Sequence, residues 1–532
     1  MKNLRYFIVG ITIFFSTSCG DDFLEVDLIN EFDENNFFST ESQVFQGLVA
    51  TYDPLQWSFL DGRWTSSVML GDIRSDNATA GGDPTNSDQL GWQQMDDFLE
   101  DEFLIESETF WKKYYSGIRR ANLVINQGDL GTDLTNQYLA EAKFLRAYYH
   151  FELFRTYGPI PVVTEPIDPT SYVQTRNTIS EVFDQVIRDL RQAIPLLPNS
   201  FGAEFAGRVT SGAANGLLGK AYLYYADVLG DNQTMFDSAA FFLNNVITSG
   251  DYQLVDDYNE LFAFGASNST ESVFEIQHSG LVPGDFSTPG EFMDGNAMVQ
   301  LSGIRGLCAN HPEYDAGWGF MLPTSSLFDS FLSDDTFRRD ASIVTPAELA
   351  ADGCSVDLAE SNPQDFQGYW QQKYANYNGY TVPNGGEINL LKDANQTYMR
   401  YADVLLMAAE ALERGSGSAA IAMGFIDEVR ERGAGPGDNA GSFRTASQLM
   451  SDEGWTLLEV IWYERRVELA LEGDRWFDLV RSGRLESSLW AGDDLRGANV
   501  DPSRSNYLPI PQREVIATNG ALSVYPEESL FN

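Results

Sequence analysis

Apolar residues recur at steps of three and four in two separate parts of this chain, and no other feature of the sequence limits its fold as strongly. In the first part, residues 134–157 carry one such stripe, which Gly158 and Pro159 end. The residues that share the apolar face are Leu139, Ala142, Leu145, Tyr149 and Leu153. The spacing predicts a long amphipathic helix that packs one face into a core.

Two more helices are predicted to follow in this half of the chain. Thr178 and Glu181 have the spacing of a capping box, in which the side chain of each residue bonds the backbone N–H of the other. They predict a helix that begins there and ends before Pro195. The next stripe predicts a further helix over about residues 210–225.

The second helical part covers residues 401–429. Residues 401–412 form one apolar face, Gly415 and Gly417 interrupt it, and residues 421–429 form the next. This helix-turn-helix pattern is typical of tetratricopeptide-like arrays, although no regular repeat of about 34 residues can be aligned. A last long helix is predicted over about residues 452–480.

Between the helical parts, residues 251–397 have a different character. An alternating run at 273–277 predicts a short strand, and many Gly, Asn, Asp and Pro residues with interspersed aromatics follow it. Long irregular connections in compact proteins usually carry binding sites. We therefore expect the ligand site in this region and in the similar stretch 57–92.

The composition excludes some classes of partner. The chain has 532 residues, 43% of them hydrophobic, so it can bury a large core and is expected to be globular. Its 34 basic and 78 acidic residues give a net charge of −44, which repels nucleic acid and anionic lipid. We interpret the acidity as a well-solvated surface rather than as a dedicated cation site.

The first residues have the pattern of a secretory signal that leads to a lipid-modified cysteine. A short cationic start and an apolar run too short to span a bilayer precede small residues and then Cys19. Acyl chains on this cysteine would hold the protein to a membrane. We expect a signal peptide over residues 1–18, lipidation of Cys19 and an extended linker over residues 19–36. Plain periplasmic secretion with cleavage near Ser18 is the alternative.

Cys308 and Cys354 both lie in the loop-rich middle region. In an oxidising compartment they can pair, and they can equally stay free and buried, because the sequence gives no distance between them. The sequence leaves this question open.

The sequence offers little for catalysis or metal binding. It has three histidines and lacks HExxH, GxSxG, P-loop and EF-hand motifs, so we expect no catalytic residues, no cofactor and no metal site. Glu464, Glu468 and Glu472 fall at i, i+4 spacing on one predicted helix, among arginines. We interpret them as an ion-pair lattice that fixes this helix rather than as catalytic acids.

Segments along nearly the whole chain resemble, in order, the SusD/RagB family of nutrient-binding outer-membrane lipoproteins. They are Trp111–Asn126, Ala140–Pro161, Gly207–Leu223, Glu271–Gln277, Arg400–Ala411, Glu464–Leu479 and Tyr507–Pro511. The acidic residues directly after Cys19 also resemble the surface-export signal of Bacteroidetes lipoproteins.

The resemblance implies a mainly α fold with about four tetratricopeptide-like helix pairs and a large loop-rich, partly β binding region. It implies one domain over residues 37–532, with a helical scaffold at 100–250 and 398–482 and a binding region at 57–92 and 251–397. It also implies a surface-exposed, non-catalytic protein that is lipid-anchored in the outer membrane, binds a glycan and passes it to a SusC-like TonB-dependent transporter.

The candidate ligand residues follow from the chemistry of sugars. Apolar C–H faces stack on flat aromatic rings, and hydroxyl groups bond carboxylates, guanidinium groups and amides. The two loop-rich stretches supply both kinds of side chain. The candidates are Trp57, Trp64, Asp72, Arg74, Asp76, Trp92, Tyr314, Trp318, Trp370 and Tyr374. For any single tryptophan, packing in the core or against the transporter is the competing interpretation.

Three other functions stay open at this stage. The protein can be a glycan-degrading surface enzyme, since carboxylates are abundant, or a tetratricopeptide-like scaffold that holds another protein. It can also be a receptor for a peptide or another nutrient.

Overall fold

The computed structural model describes residues 37–527, except residues 84, 86–87, 167–172, 231, 357–362, 384, 437–441 and 493. The leader, Cys19 and the expected linker therefore lie outside the described residues. Within the described part, no helix is both long and apolar enough to cross a bilayer.

Helices make up most of the regular structure of the described chain. In chain order they are α1 (Glu41–Tyr52), α2 (Ser67–Ile73), α3 (Leu90–Asp96), α4 (Ile105–Gln127), α5 (Asp133–Tyr157), α6 (Ile179–Ala193), α7 (Ser211–Val228), α8 (Gln233–Ile247), α9 (Met298–Ser302), α10 (Ser325–Ser330), α11 (Thr336–Asp340), α12 (Pro346–Ala351), α13 (Tyr401–Arg414), α14 (Ala419–Gly433), α15 (Ala446–Glu453), α16 (Leu457–Glu468), α17 (Arg475–Arg481), α18 (Leu485–Ala491) and α19 (Gln512–Ala517).

The strands are short and pair two by two. They are β1 (Phe59–Leu60), β2 (Arg63–Trp64), β3 (Ala78–Gly81), β4 (Ser272–Ile276), β5 (Phe320–Pro323), β6 (Ile343–Val344), β7 (Trp370–Gln371) and β8 (Gln396–Arg400). The antiparallel pairs are β1–β2, β3–β5, β4–β8 and β6–β7.

The long helices form one continuous array. Helix α4 packs on α5, α5 on α6, α6 on α7 and α7 on α8, and α8 then packs directly on α13, which contacts α14 and α16. The predicted mainly α fold built from helix pairs is confirmed, with α4–α5, α6–α7, α8–α13 and α14–α16 as packed pairs. Because α8 and α13 are neighbours, the loop-rich chain between them leaves the array and returns to it.

Local sequence signals fix most helix ends where they were predicted. The Thr178–Glu181 capping box is present at the start of α6. Thr132 caps α5 in the same way through Thr135, and Gly158, with φ of 72°, ends it.

Helix α5 is buried much more completely than its apolar stripe indicates. From Tyr138 to Tyr157, only Lys143 is not buried. The expectation of a single buried face was wrong, because the polar residues of α5 find partners inside the protein, as in the ion pairs of Arg146 with Asp189 and of Arg155 with Glu152.

The last long helix predicted over residues 452–480 is wrong, since α15, α16 and α17 are separate. Leu471 and Gly473 have φ of 64° and 93°, which no helix accommodates. The backbone N–H of Gly473 donates to Asp72 Oδ2 over 2.7 Å. A Cβ on Gly71 would lie 1.7 Å from the carbonyl oxygen of Gly473, so the two backbones touch here. Helical periodicity cannot reveal such a distant contact.

A buried ion-pair network joins the array to the loop-rich region. The lattice predicted for Glu464, Glu468 and Glu472 is confirmed, but its arginines come from other elements. They are Arg338 of α11, Arg400 at the end of β8, and Arg430 and Arg432 of α14. All seven of these side chains are at most 7% exposed.

Glu468 is the centre of this network. Its carboxylate meets the guanidinium groups of Arg338, Arg400 and Arg432. Burial opposes the ionisation of Glu468, but the three guanidinium groups outweigh burial and hold its pKa well below the usual range.

We expect Glu468→Gln to lower the free energy of unfolding by about 3–5 kcal/mol, because it leaves buried guanidinium charge uncompensated. Urea denaturation of the purified protein measures the loss. Glu431→Gln, at an exposed position of α14, is the matched control and should change stability by less than about 0.5 kcal/mol. Equal stability of the two variants would contradict a structural role for the network.

The β1–β2 hairpin rests on α4 through a buried lysine. Lys113 is 6% exposed, and its Nζ donates to the carbonyl oxygen of Trp57 over 3.0 Å. No carboxylate of the described residues lies within ion-pair distance of it. Burial lowers the pKa of Lys113 from 10.5 to about 7.

This pKa predicts a pH-dependent stability. Between pH 7 and 10.5 the unfolded chain binds a proton that the folded protein lacks, so the free energy of unfolding rises with pH. We expect Lys113→Met to remove this rise. The free energy of unfolding of the variant minus that of wild type should therefore fall by about 2–4 kcal/mol between neutral pH and pH 10.

Urea denaturation at several pH values between 7 and 10 measures this difference. Lys112→Met is the control, because the neighbouring Lys112 is 38% exposed and ion-paired with Asp61. If the free energies of unfolding of wild type and Lys113→Met differ by the same amount throughout this pH range, Lys113 is not a neutral buried lysine.

Candidate functional site

Four aromatic rings from three distant segments meet at the surface, and we call them the aromatic platform: Phe59, Trp64, Phe286 and Trp318. The ring centroids of Trp64 and Trp318 are 5.4 Å apart, and those of Phe59 and Trp64 are 4.7 Å apart. Phe286 lies 6.3 Å from Trp64 and 6.5 Å from Trp318. Phe286 is 48% exposed and Trp318 is partly exposed, whereas Trp64 supports them from below at 5% exposure.

The β1–β2 hairpin positions the first half of the platform. Its two-residue turn is Asp61-Gly62, and both residues have positive φ, as the tight turns that match strand twist require. The register places Phe59 opposite Trp64, so that their rings pack on each other. The hydroxyl of Thr65 donates to that of Thr109 in α4 and fastens the hairpin to the helical array.

Two loops bring the second half of the platform to the hairpin. A Cβ on Gly290 would lie 1.6 Å from the carbonyl oxygen of Phe59, so only glycine lets this loop approach so closely. Phe286 is held by Asp285, whose carboxylate accepts from the hydroxyl and backbone N–H of Ser287. These hydrogen bonds keep the pKa of Asp285 below its usual range.

Trp318 is fixed through its backbone. Its N–H donates to the carbonyl oxygen of Gln300 over 3.0 Å, and its own carbonyl accepts from Arg305 over 3.2 Å. These contacts hold the backbone of Trp318, so its indole ring stays available at the surface.

Charged groups surround the platform and are mostly paired with one another. Arg305 bonds Asp83 over 3.0 Å, and Lys112 bonds Asp61 over 2.8 Å. Arg63 has a side chain that is 41% exposed and lies 3.6 Å from Glu106. Half-exposed rings beside carboxylates and guanidinium groups can hold a flat ligand that is apolar on its faces and hydroxylated on its edge.

The structure thus brings together Trp64 and Trp318, two of the ten residues predicted to bind ligand, although they are far apart in sequence. Phe59 and Phe286 were missed. The signal for Phe286 was present, since a lone aromatic residue lies in a turn-rich segment between Gly284 and Pro289.

The predicted ligand residue Trp57 lies beneath the hairpin at 2% exposure. Its indole N–H donates to Asp53, and the guanidinium of Arg120 lies 5.1 Å from its ring. The side chain therefore packs inside the protein, away from the platform.

Asp72, Arg74 and Asp76 are buried, and each of them bonds other groups of the protein. Asp72 accepts from Gly473, and burial raises its pKa to about 7. Arg74 bonds Glu100 over 2.8 Å.

Asp76 forms two hydrogen bonds with Arg475, of 2.8 and 2.9 Å. Burial opposes the ionisation of Asp76, but Arg466 and Arg475 hold its pKa well below the usual range. These partners already use the carboxylate inside the protein, and contact of Asp76 with ligand stays a prediction.

The remaining predicted aromatics support the loop-rich region from inside. Trp92 and Trp370 are fully buried, against Phe110 and Phe366. Tyr314 and Tyr374 are 6% and 5% exposed. None of these residues belongs to the platform, and their contact with ligand stays a prediction.

Cys308 and Cys354 are joined by a disulfide bond, with their Cα atoms 5.6 Å apart. The bond lies beside the apolar cluster that contains Tyr314 and Trp370. It therefore cross-links two parts of the loop-rich region beside this cluster.

Among the described residues, no group of three or more His, Cys, Asp or Glu side chains has the arrangement that a metal ion requires.

Comparison with known proteins identifies the chain. A family model described as "Starch-binding associating with outer membrane" matches residues 22–223, and one described as "SusD family" matches residues 353–526. A SusD-like protein of Formosa agariphila is 27% identical over 98% of this chain and 99% of its own length.

Solved structures agree with these matches. A laminarin-binding SusD-like protein has a TM-score of 0.78 at 29% identity, covering 92% of this chain and 99% of that one. Surface glycan-binding protein A of Bacteroides thetaiotaomicron, solved with laminarihexaose, has a TM-score of 0.77 at 25% identity and covers 91% of this chain and 99% of its own. The chain therefore belongs to the SusD/RagB family.

Proposed function

We propose that this protein is a non-catalytic surface receptor that captures a glycan on the aromatic platform and passes it to a SusC-like TonB-dependent transporter. The observation that carries this proposal is the meeting of Trp64, Trp318 and Phe286 at the surface. Core aromatics need no such exposure, and an exposed cluster of rings is typical of a binding site.

The platform suits a sugar chain better than a peptide. The ring centroids of Phe286 and Trp318 are 6.5 Å apart, so a sugar chain can lie across both rings, which the buried Trp64 supports from below. Each aromatic contact contributes about 0.5–1.5 kcal/mol beyond the area that it buries. Guanidinium and carboxylate groups at the rim, such as Arg63 and Asp61, supply partners for hydroxyl groups.

The ligand that we propose is a neutral glucan of the laminarin type. The net charge of −44 opposes the approach of sulfated or uronic-acid polymers. Two similar solved structures carry laminarin or laminarihexaose in their names, and they support this choice of ligand class.

We also propose how the protein reaches the cell surface. A signal peptide over residues 1–18 is removed, Cys19 carries the acyl chains, residues 19–36 form the linker, and residues 37–532 form one domain outside the outer membrane. Membership of the SusD/RagB family and the leader sequence support this arrangement.

We expect Trp318→Ala and Phe286→Ala each to weaken laminarin binding about three- to tenfold, because each removes one stacking surface. Together they should abolish binding in calorimetry and in affinity electrophoresis. Trp64→Ala is a poorer test, since this ring is buried and its loss would disturb the hairpin.

The matched control for these variants is Phe241→Ala, because Phe241 is 63% exposed on α8, outside the platform. It should bind laminarin like wild type. The wild-type protein should also release no reducing ends from laminarin. Unchanged binding by the double variant would overturn the site, whereas reducing ends that disappear in Glu106→Gln, the acid beside Arg63, would favour an enzyme.

We expect Cys19→Ser to release the protein from the membrane, because a serine at this position cannot take the thioether-linked diacylglycerol. Fractionation of cells and protease treatment of intact cells measure the change: wild type should be membrane-bound and cleaved from outside. Ser18→Ala, which keeps a small residue before the cysteine, is the control. Retention of Cys19→Ser in the membrane fraction would contradict the anchor.

A further inference from the structure

A second cleft, separate from the aromatic platform, has the chemistry of a carbohydrate site. Its volume is about 470 Å³, within the range of small-ligand sites. The lining residues that matter here are Thr79, Asp97, Asp365, Gln367, Leu495 and Asn499. They come from β3, the chain after α3, the loop before β7 and the 3₁₀ turn Leu495–Asn499.

Two carboxylates of this cleft have no cationic partner. Among the described residues, neither Asp97 nor Asp365 takes part in an ion pair. Partial burial raises the pKa of Asp97, and the nearby Asp365 raises it further. The third acid of the cleft, Asp494, is held by Arg496. Asp97 and Asp365 therefore remain as acceptors for hydrogen-bond donors of a ligand.

A buried hydroxyl group in the cleft also lacks a partner. Thr79 is 4% exposed, and its Oγ1 makes no hydrogen bond to any described residue. A buried polar group without a partner is unfavourable by about 1–3 kcal/mol, so a bound hydroxyl group would relieve a cost that the free protein carries.

A tryptophan packs on the turn that forms one wall of the cleft. Trp490 is 45% exposed, more than any of the other nine tryptophans, all of which are described. Its ring packs against Gly497, where a Cβ would lie 3.1 Å from it. Gly497 belongs to the turn Leu495–Asn499, whose residues Leu495 and Asn499 line the cleft.

We propose that this cleft is a second binding site for the same neutral glycan, with Trp490 as the stacking surface and Asp97 and Asp365 as acceptors for hydroxyl groups. The inference rests on the proposed function for the identity of the ligand. The unpaired acids make the cleft unsuitable for anionic sugars. An aromatic ring beside carboxylate, amide and hydroxyl groups is the combination that recognises a sugar.

The β3–β5 ribbon connects the two sites. Thr79 pairs with Leu322 at the cleft, whereas Gly81 pairs with Phe320, two residues after Trp318 of the platform. The six residue steps from Trp318 to Thr324 span at most about 20 Å of chain. A polymer is long enough to occupy both sites, whereas a trisaccharide fills one at a time.

The test follows tryptophan signals during titration with laminaritriose. Protein labelled with 5-fluorotryptophan gives one ¹⁹F resonance per tryptophan, and Trp490→Phe and Trp318→Phe identify the two that matter. We expect both resonances to shift saturably, each with its own affinity. Trp455, partly exposed and packed on Tyr463, is the internal control whose resonance should stay unchanged.

Asp365→Asn tests the acidic wall without endangering the fold. The residue is exposed and has φ of 53°, a conformation that asparagine also tolerates. We expect the affinity reported by Trp490 to fall about tenfold, with that reported by Trp318 unchanged.

The outcomes separate the two proposals. A Trp490 resonance that does not respond while Trp318 does overturns the second site and leaves the platform. A response of Trp490 alone overturns the platform and leaves the cleft, and silence of both overturns both sites. A Trp490 response that Asp365→Asn leaves unchanged would mean that the ligand lies outside this cleft.

Discussion

The buried carboxylates of α16 set the constraint on which the rest of the molecule depends. A charge enclosed in protein is tolerated only beside an opposite charge with good geometry. Glu464 and Glu468 pair with the arginines of α14 in the array. They also pair with Arg338 of α11, inside the loop-rich region, and with Arg400, where the chain returns to the array. Because removing any partner leaves an uncompensated charge, the network fixes where the loop-rich region sits on the helices.

The platform depends on this placement because no single segment contains it. The hairpin with Trp64 is seated on α4, Phe286 is held by a turn that Asp285 organises, and Trp318 is anchored through its backbone. Each segment is rigid for its own reason, so the rings meet only when all three are correctly docked. The disulfide between Cys308 and Cys354 cross-links the loop-rich region that carries Trp318. Rings that are pre-positioned in this way bind a ligand without first having to be ordered.

The sequence predicted the helical array well because helices are encoded locally. Caps such as Thr178 and the stripe of α5 determine where a helix begins and ends, whatever it packs against. The break at Gly473 was missed because its cause, a contact with Asp72, is about four hundred residues away in the chain. The candidate site was likewise predicted only in part, because distant contacts determine it. Chemistry selected Trp64 and Trp318, which the structure brings together, but it also selected residues such as Trp57, which is buried, since only packing decides whether an aromatic ring is buried or exposed. The family assignment needed no such detail, because several ordered segments carried it.

Under the proposed function the receptor hands its ligand on and must release it readily, and the platform has the energetics for this. The charges at its rim largely neutralise one another, as in the pairs Lys112–Asp61 and Arg305–Asp83, so binding rests mainly on ring stacking. A few contacts of about 0.5–1.5 kcal/mol each give weak and rapidly reversible binding. A second weak site on the same ribbon would change this balance for polymers alone, because a long chain that leaves one site is still held at the other. Under the proposed function, such a surface would retain polysaccharide near the cell and let short fragments go, which is the order of events that uptake through a transporter requires.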